Sequence, residues 1–337
     1  MSEQASAGFG SRWGRWAAAL LALAASATAA AQPAQPEPAA ATTALAPGRQ
    51  DRTLGGHVFI REALVRSPFA ATSIEENIIY GTGSATGSAL TFLGKPIPEK
   101  TYEWATMSQI ITYEKKLWEG ISVGGGLTAD LISGIDGPSV VVMGTQVGYG
   151  LFGRATAGQR FGPVHAAATF DVAYGPTYGI FILEAIDRFQ KNPVDTIGKL
   201  GEYALASSNA WTLKPGFSTA WAPLPALGIT ASVDYQWISQ NTIDGVVHGQ
   251  GFDIGAAADW DFGAHTSAPV AVLAAWHWTV PITSDSPIGH VVDYSVGVFY
   301  TGRPALALGL ELGYRSFPYR SLEADLTLAQ FRMQYHW

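Results

Sequence analysis

Ala329-Gln330-Phe331-Arg332-Met333-Gln334-Tyr335-His336-Trp337 ends the chain, and it alternates without a break. Ala329, Phe331, Met333, Tyr335 and Trp337 are apolar or aromatic, and the four residues between them are polar. Successive side chains of a strand point to opposite faces, so this segment reads as a strand with one apolar and one polar face. A soluble strand rarely ends flush on a tryptophan. A transmembrane β-barrel strand does so naturally, because its last aromatic sits in the interfacial girdle.

Composition supports that reading. The chain has 337 residues, 47% hydrophobic and only 14% charged, with 38 glycines and 11 tryptophans. Mean hydropathy is +0.13, high for a soluble domain. Yet beyond the N-terminus no run of roughly 20 apolar residues could form a membrane helix. Interleaved rather than blocked apolarity is the mark of a barrel. Cysteine is absent, which excludes disulfides and thiolate metal sites or nucleophiles. A net charge of −7 argues against nucleic-acid binding, which needs a basic stripe.

The N-terminus reads as a secretory signal over residues 1–31. Arg12 and Arg15 supply the positive region, residues 16–28 the apolar core, and Ala29 and Ala31 an A-x-A cleavage site. Residues 32–56 read as a disordered, Pro/Ala-rich periplasmic linker, and 57–337 as the barrel.

From Ser73 the chain repeats segments of about ten alternating residues separated by turn residues. Ile121, Val123, Leu127, Ala129 and Leu131 share one face of a strand. Val141, Met143, Val147, Tyr149 and Leu151 are expected to share another. The pattern continues through Val164–Tyr174, Trp211–Trp221, Ile229–Trp237, Phe252–Phe262, Val270–Trp278, Val292–Tyr300 and Leu306–Tyr314. The expected architecture is an all-β, antiparallel up-and-down transmembrane barrel of about twelve strands, or ten if the two weak segments at 73–82 and 102–116 are not strands. Every second connection is short: 117–120, 158–163, 223–226, 263–269 and 302–304. These are expected to be periplasmic turns. A secreted β-sandwich would alternate too, but here aromatics mark strand ends on the apolar face.

The alternating strands, the N-terminal signal and the aromatic set Phe331, Tyr335 and Trp337 resemble Gram-negative outer-membrane β-barrel proteins over residues 73–337. That resemblance implies outer-membrane lipid as surroundings and recognition of the last strand by the barrel-assembly machinery. Phenylalanine is the commoner last residue in that class, so Trp337 is a departure. The class holds porins, transporters, adhesins and enzymes, so it implies no particular chemistry.

Residues 177–208 break the strand pattern. Asn192-Pro193 is a helix start, Ile197 and Leu200 follow at helical spacing, and Ile182, Ile186 and Phe189 precede them. An amphipathic insertion must bury its apolar stripe, and the expectation is a helical loop that restricts the barrel mouth. The polar faces place Asp130, Asp171, Asp234, Asp253, Asp259, Asp261, Asp293 and Glu311 in the lumen, with Arg154, Lys214, Arg315 and Arg332. Acids outnumber bases, a field that favours cations, although cross-strand ion pairs such as Glu311 with Arg332 are expected. His165, His277 and His336 also face inward but lack metal-ligand spacing.

The expected function is passive or gated passage of a small solute or ion through a net-acidic lumen, by a monomer without cofactor, metal or catalytic residues. Two alternatives stay open. One is an outer-membrane lipid-modifying enzyme, for which Ser295 and His277 on adjacent strands are the nearest approach to a nucleophile–base pair. The other is a plugged structural or adhesive barrel.

Overall fold

The computed structural model describes residues 51–337 apart from 88–90, 93–94, 97–99, 181, 183–185, 187–188, 191–204, 243–244, 283–288, 304 and 320–321. Twelve strands close into one barrel: β1 (Ser73–Gly87), β2 (Lys100–Trp118), β3 (Ile121–Gly134), β4 (Thr145–Phe161), β5 (Val164–Ile180), β6 (Leu205–Leu224), β7 (Leu227–Thr242), β8 (Gly245–Asp261), β9 (Val270–Pro281), β10 (Val291–Arg303), β11 (Leu306–Tyr319) and β12 (Leu322–His336). Each pairs antiparallel with its neighbour in sequence, and β12 pairs β1 through Phe331↔Ile78 and Arg332↔Asn77. Closure leaves no unpaired sheet edge, the condition for spanning lipid with strands. No described helix is long and apolar enough to cross a membrane.

The connections 119–120, 162–163, 225–226, 262–269 and 304–305 fall at one end of the barrel, the turn end, and two further two-residue links, 243–244 and 320–321, fall at the opposite end. Gly120, at φ 74°, makes the two-residue link from β2 to β3. A Cβ there would lie 2.0 Å from the carbonyl oxygen of Gly158, so both backbone and space require glycine. The long connections fall at the other, loop end.

Outward faces carry the apolar residues of the alternation. Leu310 is 63% exposed, and Leu127, Leu151, Phe170 and Phe217 are also exposed. Aromatics gather toward the strand ends: Trp118, Phe161, Trp221 and Trp337 at the turn end, and Tyr149 stacked on Tyr178 at the loop end. An apolar band between aromatic girdles is the exterior that a bilayer requires. Trp337 packs its ring on Tyr335 and Tyr113 and donates its backbone N–H to Thr72.

Two local expectations are corrected. Val141 and Met143 lie in helix α1 (Gly137–Met143), and the fourth strand starts at Thr145. Asp136 caps α1 by accepting from the Ser139 N–H at 2.8 Å, and Gly144 at φ 74° ends it. The helix packs across the loop end, where Ser139 Oγ accepts from the N–H of Glu103. Likewise, residues 177–180 and 205–208 extend β5 and β6, which pair as far as Ile180↔Leu205. The insertion is therefore shorter than its sequence pattern. Ile182 and Ile186 are helical and half-buried, and Phe189 is helical and exposed; Ile197 and Leu200 lie outside the described residues.

Residues 51–72 do not extend away from the barrel. Thr53–Leu54 pairs with His57–Val58 in a small hairpin. The following chain enters the lumen and returns to Thr72 at the turn end, next to Ser73. Arg52, Thr53 and Leu54 thus belong to the folded unit, although their sequence reads as linker.

Candidate functional site

The interior is built in three tiers. At the turn end, residues 51–72 bring apolar side chains against small residues of the barrel wall. Leu54, Phe59 and Phe69 pack on Ala220 and Ala222, while Ile60 and Val65 pack on Ala257, Leu273, Ala275 and Phe299. Small wall residues leave room for the inserted chain, and each fully buried Phe, Ile or Val contributes roughly 1.5–3 kcal/mol. Gly255 and Gly228 make the closest approaches: Cβ atoms there would stand 3.1 Å from Val65 Cγ2 and 2.5 Å from His57 Nε2. The segment therefore fills the bore at this level.

Polar contacts seat it. His57 is fully buried, its Nε2 2.5 Å from Asp259 Oδ1 and its Nδ1 3.2 Å from the carbonyl oxygen of Pro225. The Arg61 guanidinium donates to Glu114 and, at 3.3 Å, to Ser73 Oγ. Gln334 Nε2 donates to the Arg61 carbonyl at 2.7 Å. Arg66 Nη2 meets Asp171 Oδ2 at 2.5 Å. Glu62 is also buried, and neither of its carboxyl oxygens has a hydrogen-bond partner among the described residues. Burial pushes this carboxyl well above its ordinary range, and the charges of Asp259 and Glu311 add to the rise against the opposing Arg332.

Above the segment is a ring of charge around a cavity of about 380 Å³, floored by Arg61 to Ser67. Lys214 Nζ donates to Asp253 Oδ2 at 2.6 Å, and Thr279 Oγ1 donates to the other oxygen at 2.6 Å. Arg315 Nε donates to Asp293 Oδ1 at 2.5 Å. Arg154 Nε donates to Asp171 at 3.3 Å. Arg332 bridges two strands, donating to Glu311 at 2.7 Å and Glu75 at 2.8 Å. Six bases (Arg61, Arg66, Arg154, Lys214, Arg315, Arg332) thereby meet six acids (Glu75, Glu114, Asp171, Asp253, Asp293, Glu311).

The nine acids and bases singled out as lumen-lining occupy different settings. Asp171, Asp253, Asp293, Glu311, Arg315 and Arg332 belong to that ring. Among the described residues Asp234 accepts only from Thr169 Oγ1, at 3.3 Å. Asp259 holds His57 at the turn end. Asp130 stands apart near the loop end, beside a second cavity of about 430 Å³. Asp261 instead caps the turn after β8, accepting from the Gly263 N–H.

Sequence reasoning missed two parts of this interior. One is the seated segment. The other is the apolar wall of the loop-end cavity: Ile79, Trp104, Ile132, Phe317, Leu326 and Leu328 all face inward. Alternation does extend back through Leu326 and Leu328, but on the face that carries Gln330 and Arg332.

Ser295 and His277 do not form a reactive pair. His277 Nδ1 meets Asp293 at 3.1 Å, and the buried Ser295 hydroxyl has no hydrogen-bond partner among the described residues. No group of three potential metal ligands occurs among those residues.

No protein-family model and no curated protein matches the sequence. Solved structures do match the fold. The translocator domain of autotransporter NalP from Neisseria meningitidis superposes with a TM-score of 0.51 at 9% identity, covering 79% of this chain and 88% of that one. The chain has the fold of an outer-membrane β-barrel. The transport unit of autotransporter AIDA-I from Escherichia coli matches at TM-score 0.45 and 10% identity, over 86% and 99% of the two chains. The Pseudomonas putida toluene transporter TodX matches at 0.41 and 9%, over 79% and 89%.

Proposed function

We propose that the chain is a gated outer-membrane pore for a small solute, closed at its periplasmic end by its own residues 51–72. One observation carries the reading. The closing segment enters and leaves the lumen by the same end, and Arg61, Arg66 and His57 hold it to acids of the wall. Segment and barrel are thus separate packing units joined by breakable contacts. In this reading residues 1–31 direct export and 32–50 lie in the periplasm. Phe331, Tyr335 and Trp337 engage the barrel-assembly machinery, and the barrel works as a monomer without enzymatic chemistry. The helical insertion with Ile182, Ile186, Phe189, Ile197 and Leu200 restricts the opposite mouth.

Release of the segment removes Arg61 and Arg66 and leaves the six wall acids with Asp130, Asp234 and Asp259 facing the four wall bases Arg154, Lys214, Arg315 and Arg332, which favours cations in the open state. The test is single-channel recording in a planar bilayer under a salt gradient. The intact protein is expected to be silent or to open rarely. A full-length variant with His57→Ala, Arg61→Ala and Arg66→Ala is expected to show discrete, cation-preferring steps. If that variant and a chain lacking 51–72 both fold and stay silent, the pore reading fails and a structural barrel remains. Deleting 182–203 tests the insertion separately: unchanged conductance would remove it as a gate.

A further inference from the structure

The loop-end cavity has two unlike walls. On one side, Trp104, Phe317, Leu326 and Leu328 make an apolar, partly aromatic surface, with the Trp104 and Phe317 rings edge to face at 5.6 Å. The apolar wall at the turn end is covered by residues 51–72, whereas this one faces the cavity, and the alternation of the strands does not require it. On the other side stand Asp130 and Thr177. Asp130 differs from the acids below it. Six of those are matched by six bases, whereas Asp130 has neither an ion pair nor a hydrogen bond among the described residues. Its neighbour Gly148 leaves it uncovered: a Cβ at 148 would lie 3.9 Å from Asp130 Oδ2 and 3.5 Å from Thr177 Oγ1.

We infer that this cavity binds a small organic cation with an apolar body, an aryl- or alkylammonium. The ammonium sits on Asp130, and the body lies against Trp104, Phe317, Leu326 and Leu328. Other solute classes fit less well. A neutral apolar solute would strip water from an unpaired carboxylate at a cost. An anion would face that carboxylate, while Arg315, the base on the described lining of the cavity, is already bound to Asp293. An inorganic cation would make no use of the apolar wall. The volume suits a small molecule, and an aromatic face near a cation adds attraction. As a statement about the transported solute, the inference rests on the pore reading; as a binding site it stands alone.

The test uses full-length protein refolded in detergent, with protein-free micelles as blank, and titration calorimetry. The probes are three isosteres: benzylammonium, benzyl alcohol and benzoate. Saturable binding of benzylammonium is expected, at least tenfold tighter than benzyl alcohol, with no binding of benzoate. Asp130→Asn should bring benzylammonium down to the level of the alcohol and leave the alcohol unchanged. Gly148→Val, which covers the carboxylate without removing it, should also weaken the ammonium tenfold or more; folding of both variants is checked by electrophoretic mobility with and without heating. Equal binding of the three probes, insensitivity to Asp130→Asn, or no saturable binding would each overturn the inference. Recordings on the segment-release variant separate the two readings. A conducting pore that binds no benzylammonium sinks this site and leaves the pore; a protein that binds but never conducts sinks the pore and leaves the site.

Discussion

His57 Nε2 stands 2.5 Å from Asp259 Oδ1, with both side chains sealed from solvent and 202 positions apart in the sequence. The contact joins the inserted segment to the barrel wall at the turn end. Removing one partner of a buried pair leaves the other uncompensated, at roughly 3–5 kcal/mol. His57→Ala is therefore expected to loosen the segment and leave the strands intact. Limited proteolysis should cut within 51–72 at least tenfold faster than in the parent. The double variant His57→Leu with Asp259→Leu should recover most of the protection.

Glu62 makes that seating depend on pH. Its carboxyl, raised by burial, keeps its proton at a pH where a free carboxyl would have lost it. Seating is thus strongest below the ordinary value of 4.5. It weakens as pH rises from there, and levels off above the raised value of the seated group. Open probability of the intact protein should rise with pH over that window. Glu62→Gln should flatten the profile, and an unchanged profile would exclude Glu62 as its source.

Arg332 holds the seam where the last strand meets the first. It is 0% exposed and bonded to Glu311 and Glu75. Arg332→Met would leave Glu311, a buried acid, without its base, and is expected to lower stability by roughly 3–5 kcal/mol. Urea titration followed by heat-modifiable electrophoretic mobility reads the loss. Adding Glu311→Leu to Arg332→Met should restore part of it, because the orphaned charge is then gone.

Gly309 lies under Phe299, with a Cβ there only 2.2 Å from the ring. Phe299 is itself fully buried against Val65 and Ala307. Gly309→Ala should overpack this contact and destabilise by roughly 1–3 kcal/mol. Gly309→Ala with Phe299→Leu should be milder. The same urea titration measures both.

Trp337 is expected to matter for assembly more than for stability. Its ring packs on Tyr113 and Tyr335 at the turn-end girdle and is 47% exposed. Trp337→Ala should slow insertion into liposomes carrying the assembly machinery several-fold, and Trp337→Phe should not. Equal rates for all three proteins would remove this residue from the recognition signal.

The barrel was legible because each spanning strand repeats with a period of two, and lipid enforces that period along the outer face. Even the weak first strand, Ser73–Gly87, closes on β12. The reading failed where alternation has no bearing. Val141 and Met143 stand two apart, as on one face of a strand, but Val140 and Val142 beside them are apolar too and Asp136-Gly137-Pro138 starts a helix before them. Phe59, Ile60, Val65 and Phe69 have no regular spacing, since an inserted chain is shaped by the wall around it. The partners of His57, Arg61 and Arg66 lie dozens to hundreds of residues away, so no local pattern announces them. The lumen acids could be assigned to an inward face, but which of them lacked a base could not. Asp130 and Asp293 look alike in sequence, and only the fold puts Arg315 beside the latter.

Residues 51–72 leave the lumen directly into Ser73, the first residue of the wall. A segment released from its seat would stay attached beside the bore, at an effective concentration set by a few residues of chain. Closing is then a first-order event whose rate does not depend on how much protein is present. A synthetic copy of the segment added to the bath would compete with this tethered original only at very high concentration. In the proposed pore the blocker is carried on a leash, and the length of the closed periods reports the strength of that intramolecular bond.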